Sequence, residues 1–143
     1  MGKLFRYKNC IVCGWENPIG FDIDFVEGNG YVYGRVVPGD KFEGYNGIIH
    51  GGIISTLLDE VMVKALFSMD IVSVTMEITV KFRKSVSIEQ ELLIKGYPGE
   101  IKDKIAFARA EAILPDKTIA ADAEGKFYIL KGEQKKKMID ELL

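Results

Sequence analysis

Apolar side chains recur at two different periods along this chain. Ile54, Leu57, Leu58, Val61, Met62, Ala65 and Met69 fall on one arc when wound at 3.6 residues per turn, which predicts a helix over about 51–68. At 1.5 Å per residue it is roughly 27 Å long. After it the period drops to two. Val74, Met76, Ile78, Val80 and Phe82 alternate with Ser73, Thr75, Glu77, Thr79 and Lys81, predicting a half-buried strand over 72–83. Further strand-like stretches cover 89–98, 104–114 and 118–130. Short turns at Pro98-Gly99-Glu100 and Pro115-Asp116-Lys117 join them, so the pairing should be antiparallel. Upstream, Phe21, Ile23 and Phe25 alternate with Asp22 and Asp24, predicting a strand over 19–27. The Asn29-Gly30 pair suits a hairpin turn, since both residues tolerate positive φ. A return strand over 31–37 ends at Pro38-Gly39. Residues 1–18 read as an irregular lead-in, and 132–143 as a tail that frays or forms a short helix.

Two strands, one long helix and four long strands make an α+β architecture, with a single helix against an antiparallel sheet. A sheet of that width would curl around the helix. The length, 143 residues, suits one domain that needs no disulfide or metal to hold its core. A net charge of −2 argues against a nucleic-acid partner. The single histidine, His50, excludes a multi-histidine metal centre. No apolar run reaches the roughly 18 residues of a membrane span, and the N-terminus has no apolar signal region. The expectation is a cytoplasmic protein without a membrane partner.

The helix carries two adjacent acids. Glu60 has Lys64 at i+4, the favourable order for an ion pair, and reads as a solvated surface charge. Asp59 faces Met62, Val63 and Leu66, with no basic residue of its own helix in reach; a carboxylate among apolar neighbours is costly unless it serves a function. At the helix start, Gly51 and Gly52 offer backbone N–H groups at the positive end of the dipole, suited to an oxygen that gains negative charge. Gly51 and Asp59 lie eight residues apart, about 12 Å along one axis. One small reacting group cannot touch both on the same helix. If they cooperate, two antiparallel copies must lie side by side, which implies a two-fold dimer with its site at the interface.

The segment Tyr45-Asn46-Gly47-Ile48-Ile49-His50-Gly51-Gly52, followed by Leu57-Leu58-Asp59-Glu60, resembles the His-Gly-Gly motif and helix of hotdog-fold acyl-CoA thioesterases of the phenylacetyl-CoA and 4-hydroxybenzoyl-CoA type. The family acid stands nine residues after the histidine, as Asp59 does here. Thr75 to Phe82 resembles the strand that follows the helix, and Cys10-Ile-Val-Cys13-Gly14 resembles the lead-in of a subgroup. The resemblance implies a hotdog fold and hydrolysis of an acyl-CoA to free acid and CoA. Asp59 would be the base or nucleophile, and Gly51 N–H would polarise the thioester carbonyl from the partner subunit. His50 would position the loop or contact the thioester oxygen. Thr75 or Ser73 would hold the water or the carboxylate. Asn46, Gly52, Arg83 and Lys84 would contact substrate, the last two through CoA phosphates. It further implies a homodimer or homotetramer and no cofactor, since CoA belongs to the substrate. Asn46 and Ser85 stand where many relatives carry proline. The rival readings are a hotdog dehydratase or hydratase with His50 as proton carrier, and a non-catalytic acyl-CoA-binding module.

Cys10 and Cys13 form a Cys-x-x-Cys pair, which is a redox motif or half of a zinc site. Four ligands are the norm for structural zinc, and the chain offers two cysteines and a distant histidine. They are therefore read as reduced structural thiols, with no metal.

Overall fold

A computed structural model describes residues 4–140. The long helix, α1, runs Gly51–Phe67. The strands are β1 (Val26–Glu27), β2 (Val32–Val36), β3 (Ser73–Phe82), β4 (Leu92–Lys102), β5 (Ile105–Ile113) and β6 (Ile119–Ile129), with a short helix α2 over Gly132–Asp140. They form one six-stranded sheet in the order β1-β2-β4-β5-β6-β3, and every neighbouring pair is antiparallel. The sheet wraps α1, giving the α+β hotdog arrangement expected from the resemblance. The last residues of the expected tail, 141–143, lie outside the described residues, as do 1–3. Among the described residues no helix is long and apolar enough to cross a membrane.

The helix can sit close because the sheet's inner face is lined by small residues. Ala106, Ala108, Ala110 and Ala112 of β5 and Ala121 and Ala123 of β6 are buried. At Gly96 of β4 an added Cβ would stand 2.5 Å from the Val61 carbonyl oxygen of α1, so only glycine admits the helix there. Leu57, Leu58, Val61, Met62, Ala65 and Leu66 are fully buried against this face.

Four expectations change. Met69, placed on the buried arc, is exposed: the helix ends at Phe67, and Asp70 at φ 61° turns the chain away. The first strand shrinks to two residues, because Asp22 at φ 53° interrupts the extended backbone. Phe21 and Ile23 bond instead to the Ile11 and Val12 carbonyls. Pro98-Gly99-Glu100 is no turn; β4 runs through it with an irregularity between Pro98 and Ile101, and the chain reverses at Asp103, φ 57°.

The fourth change concerns β3. Thr75 pairs with Phe127, but Glu77 pairs with Lys126, so Met76 is an extra residue in the ladder. A bulge of this kind shifts the face of all that follows. Thr75 therefore shares the inner face with Ile78, Val80 and Phe82, while Val74 and Met76 turn outward and are exposed. Strict alternation had placed Thr75 on the polar side with Glu77.

Candidate active site

The re-aimed Thr75 meets Asp59. Its hydroxyl donates to Asp59 Oδ1 at 2.7 Å, which fixes the carboxylate and leaves Oδ2 for another donor. Burial pushes the Asp59 carboxyl above its ordinary value. The Thr75 hydrogen bond opposes that rise, and the neighbouring Glu60 charge adds to it. A half-buried carboxylate that resists ionisation is a stronger proton acceptor once ionised.

The start of α1 is built differently. His50 is the N-cap, and its Nδ1 accepts from Gly52 N–H at 2.8 Å. A neutral ring in that role carries its proton on Nε2. The His50 carbonyl accepts from the N–H groups of Ile53 and Ile54. Among the described residues, Gly51 N–H has no acceptor. Gly51 lines two clefts. One, of about 320 Å³, also involves Phe82, Arg83, Lys84 and Ser85. The other, of about 550 Å³, is bounded by Tyr45, Ile48 and His50. A Cβ added at Gly51 would reach the Phe82 ring at 3.4 Å, an ordinary contact.

Arg83 is paired with Asp122 and Lys84 lies 3.7 Å from Asp116, both at half-exposed positions where such pairs hold weakly. Gly52 is exposed, with its N–H spent on the cap. Asn46 is exposed beside Gly47 at φ 82° and lines neither cleft. Ser73 lies away from Asp59, in a separate cleft of about 350 Å³ beside Cys10, Glu60 and Lys64.

Neither cleft at Gly51 includes Asp59 or Thr75. The carboxylate, at the middle of α1, and the open N–H, at its start, thus stand about two turns apart on one helix, as their spacing requires.

Glu60 departs from its expected place. It pairs with Lys64 at 3.6 Å, but Lys64 is buried and Glu60 faces the protein. The surface-charge reading fails because the lead-in folds over this side of α1: Phe5 O accepts from Lys64 Nζ at 2.5 Å, and Cys10 Sγ lies 3.6 Å from Glu60 Oε2. The run before the first strand carried no periodic signal for such a cover.

Known proteins share this fold. A thioesterase superfamily protein, RHA08564, superposes with TM-score 0.81 at 20% identity over 85% of this chain, which spans 60% of that protein's length. The protein smu.793 from Streptococcus mutans UA159, bound to acetyl CoA, gives TM-score 0.72 at 24% identity over 80% of this chain and 94% of its own. A hypothetical thioesterase from Streptococcus pneumoniae TIGR4, solved with coenzyme A, gives TM-score 0.71 at 17% identity over 76% of this chain and 85% of its own. It has also been solved as an aspartate-to-alanine and a threonine-to-alanine variant, at positions 52 and 68 of its own chain. A search of curated proteins gives no match. The sequence profile of one family covers residues 46–121, more than half of the chain and all of the loop, helix and strand just described, and the chain belongs to that family, the thioesterase superfamily.

Proposed function

We propose that this protein hydrolyses acyl-CoA thioesters, with Asp59 as general base and Gly51 N–H as the oxyanion donor of a site shared by two subunits. The observation that carries this reading is the half-buried Asp59 carboxylate held by Thr75. Water bound at Asp59 Oδ2 attacks the thioester carbonyl carbon and gives its proton to the carboxylate. The carbonyl oxygen gathers charge opposite Gly51 N–H. The carbon–sulfur bond then breaks, and CoA leaves as the thiol with that proton. Arg83 and Lys84, on the Gly51 cleft, suit the phosphates of CoA. The S. pneumoniae thioesterase supports the pairing of base and holder: its two substituted positions are separated by the same 16 residues as Asp59 and Thr75. His50 gives the hydratase reading little support, because its Nδ1 is engaged in capping.

The second subunit is argued from β3. It is a ten-residue edge strand, with β6 on one side, and it exposes Val74, Met76 and Phe82. An uncovered long edge with apolar side chains invites pairing with another strand. Two copies paired antiparallel about an axis at Thr79, with Met76 left out of the pairing as it is against β6, would set Thr75 opposite Phe82 of the partner subunit. Thr75 marks Asp59 and Phe82 marks Gly51, so that register brings one subunit's carboxylate to the other's open N–H.

Thiol release from a panel of acyl-CoAs tests the chemistry. Wild type should hydrolyse at least one member, and Asp59→Asn should lose about 10²- to 10⁴-fold in kcat. Absence of hydrolysis, or an unimpaired Asp59→Asn, rejects the mechanism. A single turnover in ¹⁸O-water should label the product acid; an unlabelled acid would make Asp59 the nucleophile instead. The double variant Val74→Lys/Met76→Lys should lose dimer and activity together by size-exclusion chromatography and assay. A monomer with full activity would remove the shared site.

A further inference from the structure

The lead-in cluster is not used by this chemistry. Cys10 Sγ, Cys13 Sγ and a Glu60 carboxylate oxygen all lie within 4.8 Å of one another. Cys13 is fully buried and sits with Val12 in the hydrophobic core. The turn that carries the two thiols is tightly built. Gly14 N–H donates to Cys10 O at 2.9 Å, and a Cβ at Gly14 would stand 2.5 Å from the carbonyl oxygens of Cys10 and Lys8. The N–H groups of Val12 and Cys13 point at Cys10 Sγ, at 3.4 and 3.3 Å. Backbone donors aimed at a sulfur stabilise its thiolate form.

We propose that Cys10, Cys13 and Glu60 form a binding site for a thiophilic divalent cation of the zinc type. Tetrahedral zinc with sulfur bonds of about 2.3 Å holds its ligand atoms about 3.8 Å apart. Cys10 Sγ and Glu60 Oε2 are already 3.6 Å apart, so closing the rest takes about an ångström. The charges balance. Two thiolates and a carboxylate around a dication leave one negative charge, and the buried Lys64 ammonium, 3.6 Å from Glu60, offsets it from outside the ligand shell. Binding replaces the thiol protons, which leave to solvent.

The fourth position opens on the cleft of about 350 Å³ between the lead-in, α1 and β3. That cleft also holds the Ser73 hydroxyl, buried and without a hydrogen-bond partner among the described residues. A metal-bound water would occupy polar space that is otherwise unmet. A bound ion would tie the lead-in to α1 at the residue next to Asp59. The site escapes a count along the sequence because its third ligand is on the helix, 50 positions from Cys10.

The test is reconstitution of the reduced full-length chain with Co²⁺, then displacement by Zn²⁺. Wild type should take up stoichiometric Co²⁺, with the near-ultraviolet sulfur-to-cobalt absorption and the visible bands of a tetrahedral ion. Zn²⁺ should erase both and raise Tm. Cys13→Ser should diminish the sulfur-to-cobalt band. Glu60→Gln should keep that band but bind at least about tenfold more weakly in competition with a chelator. Absence of stoichiometric uptake by the reduced wild type overturns the site, whether or not the thiols form a disulfide under oxidant. Unchanged affinity and visible spectrum in Glu60→Gln overturn the three-ligand set.

Discussion

Asp59 and Glu60 are consecutive on one helix, and each is pushed by burial above its ordinary carboxyl value. Their surroundings nevertheless differ. Asp59 faces β3, where one hydroxyl holds one oxygen and the other has no donor among the described residues. Glu60 faces the lead-in, where two sulfurs and a buried ammonium enclose it. Helical geometry makes the separation unavoidable, since neighbouring residues differ by about 100° in direction. One carboxylate points to β3, the edge strand of the sheet. The other points inward to a cluster that the chain closes itself. A carboxylate's burial is therefore a poor guide to its role; what matters is which atoms are left unsatisfied beside it.

Substitutions that split activity from stability sharpen this contrast. The largest effect is expected at Asp59. Asp59→Asn should abolish most turnover while Tm at neutral pH holds or rises, because the desolvated charge is removed. The sign follows from the raised carboxyl value. Both folded and unfolded Asp59 are protonated below about pH 4, so the stability gain should vanish there. It should grow as pH rises through the raised folded value. Glu60→Gln should do the reverse, because it leaves the buried Lys64 ammonium without its carboxylate: Tm should fall by several degrees with a much smaller loss of kcat. A dead but stable Glu60→Gln would merge the two faces.

Thr75→Ala comes next. Loss of a hydrogen bond to a charged group is worth about 1.5–3 kcal/mol, so kcat should fall roughly 10- to 100-fold with KM less affected. Gly51→Ala meets only an ordinary contact with Phe82 and stands at the first position of the helix, where alanine costs nothing relative to glycine. Tm should therefore hold or rise while kcat/KM drops about tenfold, as the methyl obstructs the open N–H. The smallest effect belongs to Lys84→Ala, a few-fold rise in KM that salt reproduces in wild type.

The helix was legible because its period of 3.6 and its terminal glycines are local properties. Its bounds fall within a residue of Gly51–Phe67. Three long strands were legible for the same reason, through alternation. The turn at Pro98-Gly99 misled because an edge-like irregularity can absorb both residues within a continuing strand. Asp59 could be singled out from its apolar neighbours on the helix. Its partner could be named only by resemblance, since plain alternation puts Thr75 on the face away from it.

The sequence by itself determined that Gly51 and Asp59 of one helix stand about 12 Å apart, because rise per residue is a fixed property of the backbone. It likewise determined which helical face is apolar. The tertiary structure alone decided the aim of Thr75, through one extra residue at Met76 that no local pattern announces. It also decided the fate of Glu60, by folding a non-periodic lead-in across it. Both depend on contacts between segments far apart in the chain, where local periodicity carries no information about what arrives.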